Sequence, residues 1–181
     1  LSYLFNNFSA KDVPFSEILK EAIDNGYTEP DPREDLCGND VGRKLLILAR
    51  ELDLQNEFEE IAIQNLIPEH LREGDVADFL NKLKEFDPIY DKIKAEQKPN
   101  HVLRYIGELS GDLQHDKGIL EVKLVSVPSD TALGGLKGSD SFFEIYTESY
   151  GDRPIVIQGA GAGSAVTARG VFGDILRLSD K

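Results

Sequence analysis

The hydrophobic period changes partway along the chain. Up to about residue 95, apolar residues recur at the spacing of one helix face. From Val102 onward they come in β-branched and apolar runs of strand length. Helices and strands are therefore largely segregated, and the connections near Gly111 and Gly151 are short. That combination selects an α+β domain with helices packed on a largely antiparallel or mixed sheet. With 181 residues, a single domain over residues 1–181 can bury a sizeable core.

The pattern resolves into elements. Leu1, Leu4 and Phe5 share a face of a short opening helix. Phe15, Ile18, Leu19, Ala22 and Ile23 predict a helix over 15–25, with Pro14 suited to its first turn and Gly26 to its exit. A polar loop from Tyr27 to Gly38 follows, broken by Pro30 and Pro32. Val41, Leu45, Leu48 and Leu52 form the stripe of a helix over 39–52, which Asn39 or Asp40 can cap. A short strand is expected at 61–63. A helix over 75–86 follows, burying Val76, Phe79, Leu80 and Leu83; Pro88 interrupts it, and Ile89, Tyr90 and Ile93 resume it. Strands are expected at 102–109, 119–127, 142–147 and 155–158, a flexible glycine loop at 131–141, and a closing helix at 165–178.

Composition excludes some classes. A net charge of −13 argues against nucleic acid and anionic membranes, both of which need a positive surface. No apolar run approaches the roughly 18 residues of a membrane-spanning helix. Cys37 is the only cysteine, so no internal disulfide can form and a reducing cytoplasm is the expected location. With no His nearby in sequence, its thiol is expected to be incidental. The sequence contains no Met and opens on an apolar helical pattern, without the basic region of a signal peptide. It reads as a piece of a longer protein.

Residues Gly26 to Lys44 carry the most chemical information. Pro30 and Pro32 fix φ and hold the neighbouring carboxylates in extended backbone. Asp40 and Lys44 are four apart and share a helix face. Carboxylates beside an ammonium suit a zwitterionic substrate: the acids hold an α-ammonium, and the lysine exchanges a proton with a reacting oxygen. Other readings stay open. Asp40 can favour the helix dipole, Asp40 and Lys44 can be a surface pair, and the loop can be solvated or bind a hard cation through Glu29, Asp31 and Asp35.

Near the end, a strand over 154–158 runs into Gly159-Ala160-Gly161-Ala162-Gly163-Ser164 and then a helix. Such a turn can present backbone N–H groups to an anion. It falls short of a dinucleotide fingerprint, because position 164 is Ser and no second parallel strand follows. A tight turn and a cofactor contact are both open.

Three stretches together resemble homoserine dehydrogenase. Leu1 to Asn6 looks like the family's GTLSYIF segment without its first two residues. Gly26 to Lys44 resembles the signature GYTEPDPRDDLxGxDVARK almost throughout, with Glu34 where Asp is usual and Gly42 where Ala is usual. Gly42 should weaken its helix by roughly 1 kcal/mol relative to Ala. Pro154 to Leu176 resembles the family's last strand, GAGAG turn and VTAxGVxxD helix.

The resemblance implies NAD(P)-dependent interconversion of L-aspartate 4-semialdehyde and L-homoserine, an oxidoreductase step toward threonine and methionine. It implies Lys44 as the catalytic lysine, and Glu29, Asp35, Asp40 and Tyr27 as substrate-binding residues. Gly26, Glu29 and Gly163 would lie near the NADP or NAD cofactor, and no metal ligands fall in this sequence. The nucleotide-binding domain would lie upstream, with residues 154–178 packing toward it. A homodimer is expected. The ending resembles fungal members or the dehydrogenase half of a bifunctional aspartokinase–homoserine dehydrogenase, the latter preferred. The rival class is a non-catalytic amino-acid or cation-binding module on the same scaffold.

Overall fold

The computed structural model describes residues 1–161 and 163–179. Its helical half contains α1 (Ser2–Phe8), α2 (Phe15–Asp24), α3 (Arg33–Leu36), α4 (Asn39–Glu51), α5 (Val76–Asn81) and α6 (Asp87–Ala95). Phe15, Ile18, Leu19 and Ala22 are buried along α2, as their spacing predicts. Phe15 stacks on Tyr90 of α6 with centroids 3.9 Å apart, and meets Phe8 of α1 edge-on at 5.3 Å. Such pairs add about 0.5–1.5 kcal/mol each beyond the area they bury. The Tyr90 hydroxyl donates to the Leu66 carbonyl at 3.0 Å, so its burial leaves no orphan. Pro14 offers α2 no side-chain cap; Asp87 of α6 supplies one, accepting from the Ser16 N–H and hydroxyl, both at 2.8 Å.

The strand half divides in two. β2 (His101–Ser110) and β3 (Ile119–Pro128) pair antiparallel along their whole length, and β1 (Ala62–Ile63) lies parallel beside β3. This mixed sheet, ordered β1-β3-β2, carries α1 and α4. A Cβ on Gly107 of β2 would sit 3.2 Å from Val41, so glycine there admits α4 closely. Leu45 and Ala49 of α4 pack with Leu120 and Val122 of β3 in a second core cluster. β4 (Asp140–Ile145) and β5 (Ile155–Ala160) form a separate antiparallel hairpin, and α7 (Ser164–Ser179) closes the described chain.

The α+β class and the order of elements match the sequence reading, with local corrections. The sheet is split into a three-stranded sheet and a hairpin. Leu48 and Leu52 are exposed; the buried face of α4 runs through Gly42, Leu45 and Ala49, rotated from the predicted stripe so that small residues meet the sheet, and Leu52 lies just past the helix end. Leu80 is exposed too. The segment 75–86 is α5 followed by a 3-10 turn at Leu83–Phe86, and Pro88 sits in the first turn of α6, where its missing N–H costs nothing. Asp140 and Ser141, expected in the glycine loop, begin β4. Ala162 of the glycine turn lies outside the described residues.

Candidate functional site at the acidic loop

The loop is tied down at its entry. Gly26 leaves α2 with φ +68°, and the Tyr27 N–H donates to the Ala22 carbonyl while the Gly26 N–H donates to Ile23. This pairing satisfies the last carbonyls of the helix. Gly26 is thus explained by the helix exit, and a Cβ there would meet nothing within 4 Å. The Tyr27 ring lies 4.8 Å from that of Tyr3, which fixes the loop against α1.

Beyond Pro30 the carboxylates take different partners. Asp31 is gripped by Arg33 through Nε at 2.9 and 3.0 Å and Nη2 at 2.7 Å. The guanidinium holds the Asp31 carboxyl below its usual range. Arg33 also donates to the Gly74 carbonyl and lies over the Phe79 ring, so it pins the loop to the segment leading into α5. Asp35, in α3, accepts the Glu29 N–H at 2.8 Å. Asp31 and Asp35 are therefore committed to protein donors, and Glu29 extends into solvent. Among the described residues no group of three or more His, Cys, Asp or Glu is placed to hold a metal ion.

Two features break the loop expected over 27–38. Arg33 to Leu36 form α3, and Gly38 takes φ +81°, ψ 0° immediately before α4. Neither Asn39 nor Asp40 caps α4 with its side chain; both lie in its first turn. That turn points Asp40 at Lys44, with Nζ 2.8 Å from Oδ2. The two side chains are 58% and 72% exposed, so the pair is open to water.

The Gly38 N–H donates to the Asp35 carbonyl at 3.1 Å, which joins the end of α3 to the first turn of α4. The structure thus shows two pairs, Glu29 with Asp35 and Asp40 with Lys44, joined through the Gly38 backbone, with Gly26 and Tyr27 at the start of the segment. Gly163 lies apart, at the head of α7, whose residues are exposed. The two cavities described, about 390 and 480 Å³, are lined by other residues, including Lys94 and His101 respectively. The acidic site is an open surface in this chain.

The homoserine dehydrogenase family profile matches residues 1–176. The chain belongs to the homoserine dehydrogenase family. The bifunctional aspartokinase/homoserine dehydrogenase of Daucus carota is 44% identical over 181 residues, covering 99% of this chain and 19% of that protein. The homoserine dehydrogenase of Saccharomyces cerevisiae is 43% identical over 187 residues, covering all of this chain and 51% of its own length. The chain therefore spans about half of the fungal homoserine dehydrogenases it matches and a fifth of the bifunctional proteins. A Candida auris protein of unknown function superimposes with TM-score 0.80 at 40% identity, over 100% of this chain and 51% of its own. S. aureus homoserine dehydrogenase shares the fold, with TM-score 0.67 at 18% identity, over 98% of this chain and 40% of its own.

Two residues that organise this region were missed. Arg104 is 4% exposed and donates to the carbonyls of Phe5, Leu103, Leu133, Gly134 and Leu136. Burial lowers its pKa. Tyr105 lies under the turn at Gly38. The signal for Arg104 was present: a lone charge inside the strand pattern Val102-Leu103-Arg104-Tyr105-Ile106.

Proposed function

We propose that this chain is the substrate-binding and catalytic part of a homoserine dehydrogenase, interconverting L-aspartate 4-semialdehyde and L-homoserine with NADP or NAD. The observation that carries the reading is the Asp40–Lys44 pair on the first turns of α4, open to solvent beside Asp35 and Glu29, within a homoserine dehydrogenase family chain. Asp40 and Glu29 hold the substrate α-ammonium, Asp35 fixes Glu29 through its backbone N–H, and Tyr27 lines the pocket. Reduction of the aldehyde builds negative charge on its oxygen; the Lys44 ammonium offsets that charge and delivers the proton. In the reverse direction Lys44 takes the hydroxyl proton.

A nicotinamide would supply the hydride. Gly26, Glu29 and Gly163 are the residues here that would lie against it. Gly26 and Gly163 suit close approach, since a Cβ at either meets nothing within 4 Å. The phosphate-binding fold belongs to sequence preceding Leu1, and residues 154–178 pack toward it. Apolar side chains support this: Phe143, Ile157, Phe172 and Leu178 are all at least half exposed. The hairpin and sheet then join two copies in a homodimer, in a cytoplasmic protein fused to an aspartokinase. No described helix is long and apolar enough to cross a membrane.

The test is turnover by the full-length protein. It should reduce aspartate semialdehyde with NADPH or NADH, and Lys44→Ala should abolish this. Near-normal turnover by Lys44→Ala would overturn the assignment. Light scattering that found a monomer at high concentration would overturn the dimer.

A further inference from the structure

We propose that Tyr105 is a positioning residue for the acidic site, its hydroxyl forming the seat that fixes Asp35 relative to the Asp40–Lys44 pair. The inference rests on the function proposed above. Gly38 lies between Cys37, the residue that caps the end of α3, and the start of α4 at Asn39. Its N–H donates to the Asp35 carbonyl at 3.1 Å, and its carbonyl accepts from the Gly42 N–H at 3.0 Å. One residue therefore relays the position of Asp35 to the turn carrying Asp40 and Lys44.

That residue rests on a phenol. A Cβ on Gly38 would land on the Tyr105 hydroxyl and lie 3.1 Å from its Cζ and 3.0 Å from Ile63 Cγ2. The positive φ of Gly38 adds a second reason for glycine. The phenol itself is held rigidly. Its hydroxyl donates to the Gln64 carbonyl at 2.7 Å, and the Gln64 side-chain oxygen accepts the Leu124 N–H at 2.8 Å. Leu124 is the residue paired with Tyr105 across β2 and β3. The Phe5 ring stacks on the phenol at 6.2 Å. The turn is thus referenced to the three-stranded sheet, an arrangement that holds functional groups more tightly than a loop can. Tyr105 itself donates its proton to Gln64 and takes no part in the chemistry.

The experiment is steady-state kinetics on the full-length enzyme with Tyr105→Phe, Gly38→Ala, the double variant and Lys44→Ala. Tyr105→Phe removes the atom that touches Gly38 and keeps the ring. It should lower kcat/KM for homoserine about tenfold, mostly through KM, and leave the KM for the nicotinamide cofactor within about twofold. Gly38→Ala should cost about a hundredfold, and adding Tyr105→Phe should recover several-fold of that loss, because the colliding hydroxyl is gone. Homoserine kinetics of Tyr105→Phe within about twofold of the parent would overturn the proposal, whether or not Gly38→Ala folds. So would purely multiplicative losses in the double variant. Lys44→Ala separates the two ideas. If it retains parental turnover, the function fails and the positioning role with it; if it is inactive beside an unaltered Tyr105→Phe, only the positioning role fails.

Discussion

Lys44 Nζ stands 2.8 Å from Asp40 Oδ2, one helical turn away, in a pair largely open to water. Exposed i,i+4 pairs contribute a few tenths of a kcal/mol, so this one does little for the fold. Stability and activity should therefore come apart. Lys44→Ala is expected to change unfolding free energy by less than about 0.5 kcal/mol in urea titrations. The same variant should lose about 10²–10⁴ in kcat, the range for deleting a proton-transfer group. A large stability loss would mean that the pair is structural.

Asp35 works differently, through the backbone of Glu29. Removing its carboxylate frees the Glu29 N–H and lets the bend at Pro30 drift, where the structure has bends and a turn in place of the expected extended backbone. Asp35→Ala should raise KM for homoserine about tenfold, with a smaller change in kcat. Asp35→Asn keeps one acceptor oxygen for that N–H and should recover part of the loss. Equal damage from both variants would assign Asp35's effect to its charge instead.

The contrast between Lys44 and Arg104 marks what the sequence could disclose. Periodicity located α2, α4, β2 and β3 because burial on one face imposes it, and the long acidic signature marked the candidate site. Arg104 escaped because its partners are main-chain carbonyls up to 99 residues away, and carbonyls carry no residue identity. Gly38 and Tyr105 escaped for a related reason: their contact joins α4's start to β2, and only the tertiary fold brings them together. The exposure of Leu48 and Leu52 was hidden because a stripe shows which residues could be buried, while the partner decides which are.

Arg104→Met should be severely destabilising. It would leave the carbonyls of Phe5, Leu103, Leu133, Gly134 and Leu136 without the donor they share. The expected loss is about 3–5 kcal/mol, measured by chemical denaturation. Arg104→Lys should restore only part, since one ammonium cannot span five carbonyls arranged around a planar fork. A loss under about 1 kcal/mol for Arg104→Met would show that water replaces the guanidinium.

Gly42 poses a packing question. Alanine would favour the helix by about 1 kcal/mol. Its Cβ, however, would sit 2.8 Å from Ile63 Cδ1 and 3.2 Å from Phe58 Cε2, so side-chain tips must move. The two effects should nearly cancel in Gly42→Ala alone. With Ile63→Val, which removes that Cδ1 atom, Gly42→Ala should stabilise by about 1 kcal/mol relative to Ile63→Val. Additive behaviour in the thermal midpoints would rule out this contact as the constraint.

The Asp31–Arg33 grip should appear in the acid dependence of stability. Hydrogen bonds from Arg33 hold the folded-state pKa of Asp31 below its ordinary 3.8. A depressed carboxyl pKa stabilises the folded state fully above the unfolded value, where both states are ionised. The contribution is lost as pH falls from about 3.8 through the lower folded value, because protonation breaks the pair. Asp31→Asn should therefore melt below the parent at pH 7, and the gap in Tm should close as pH drops beneath that window. The ring of Phe79 and the Gly74 carbonyl still hold Arg33 in the variant, so the loop should stay attached and the fold two-state. A gap in Tm that stays constant down to pH 3 would mean that Asp31 acts through its shape and neutral hydrogen bonds rather than its charge.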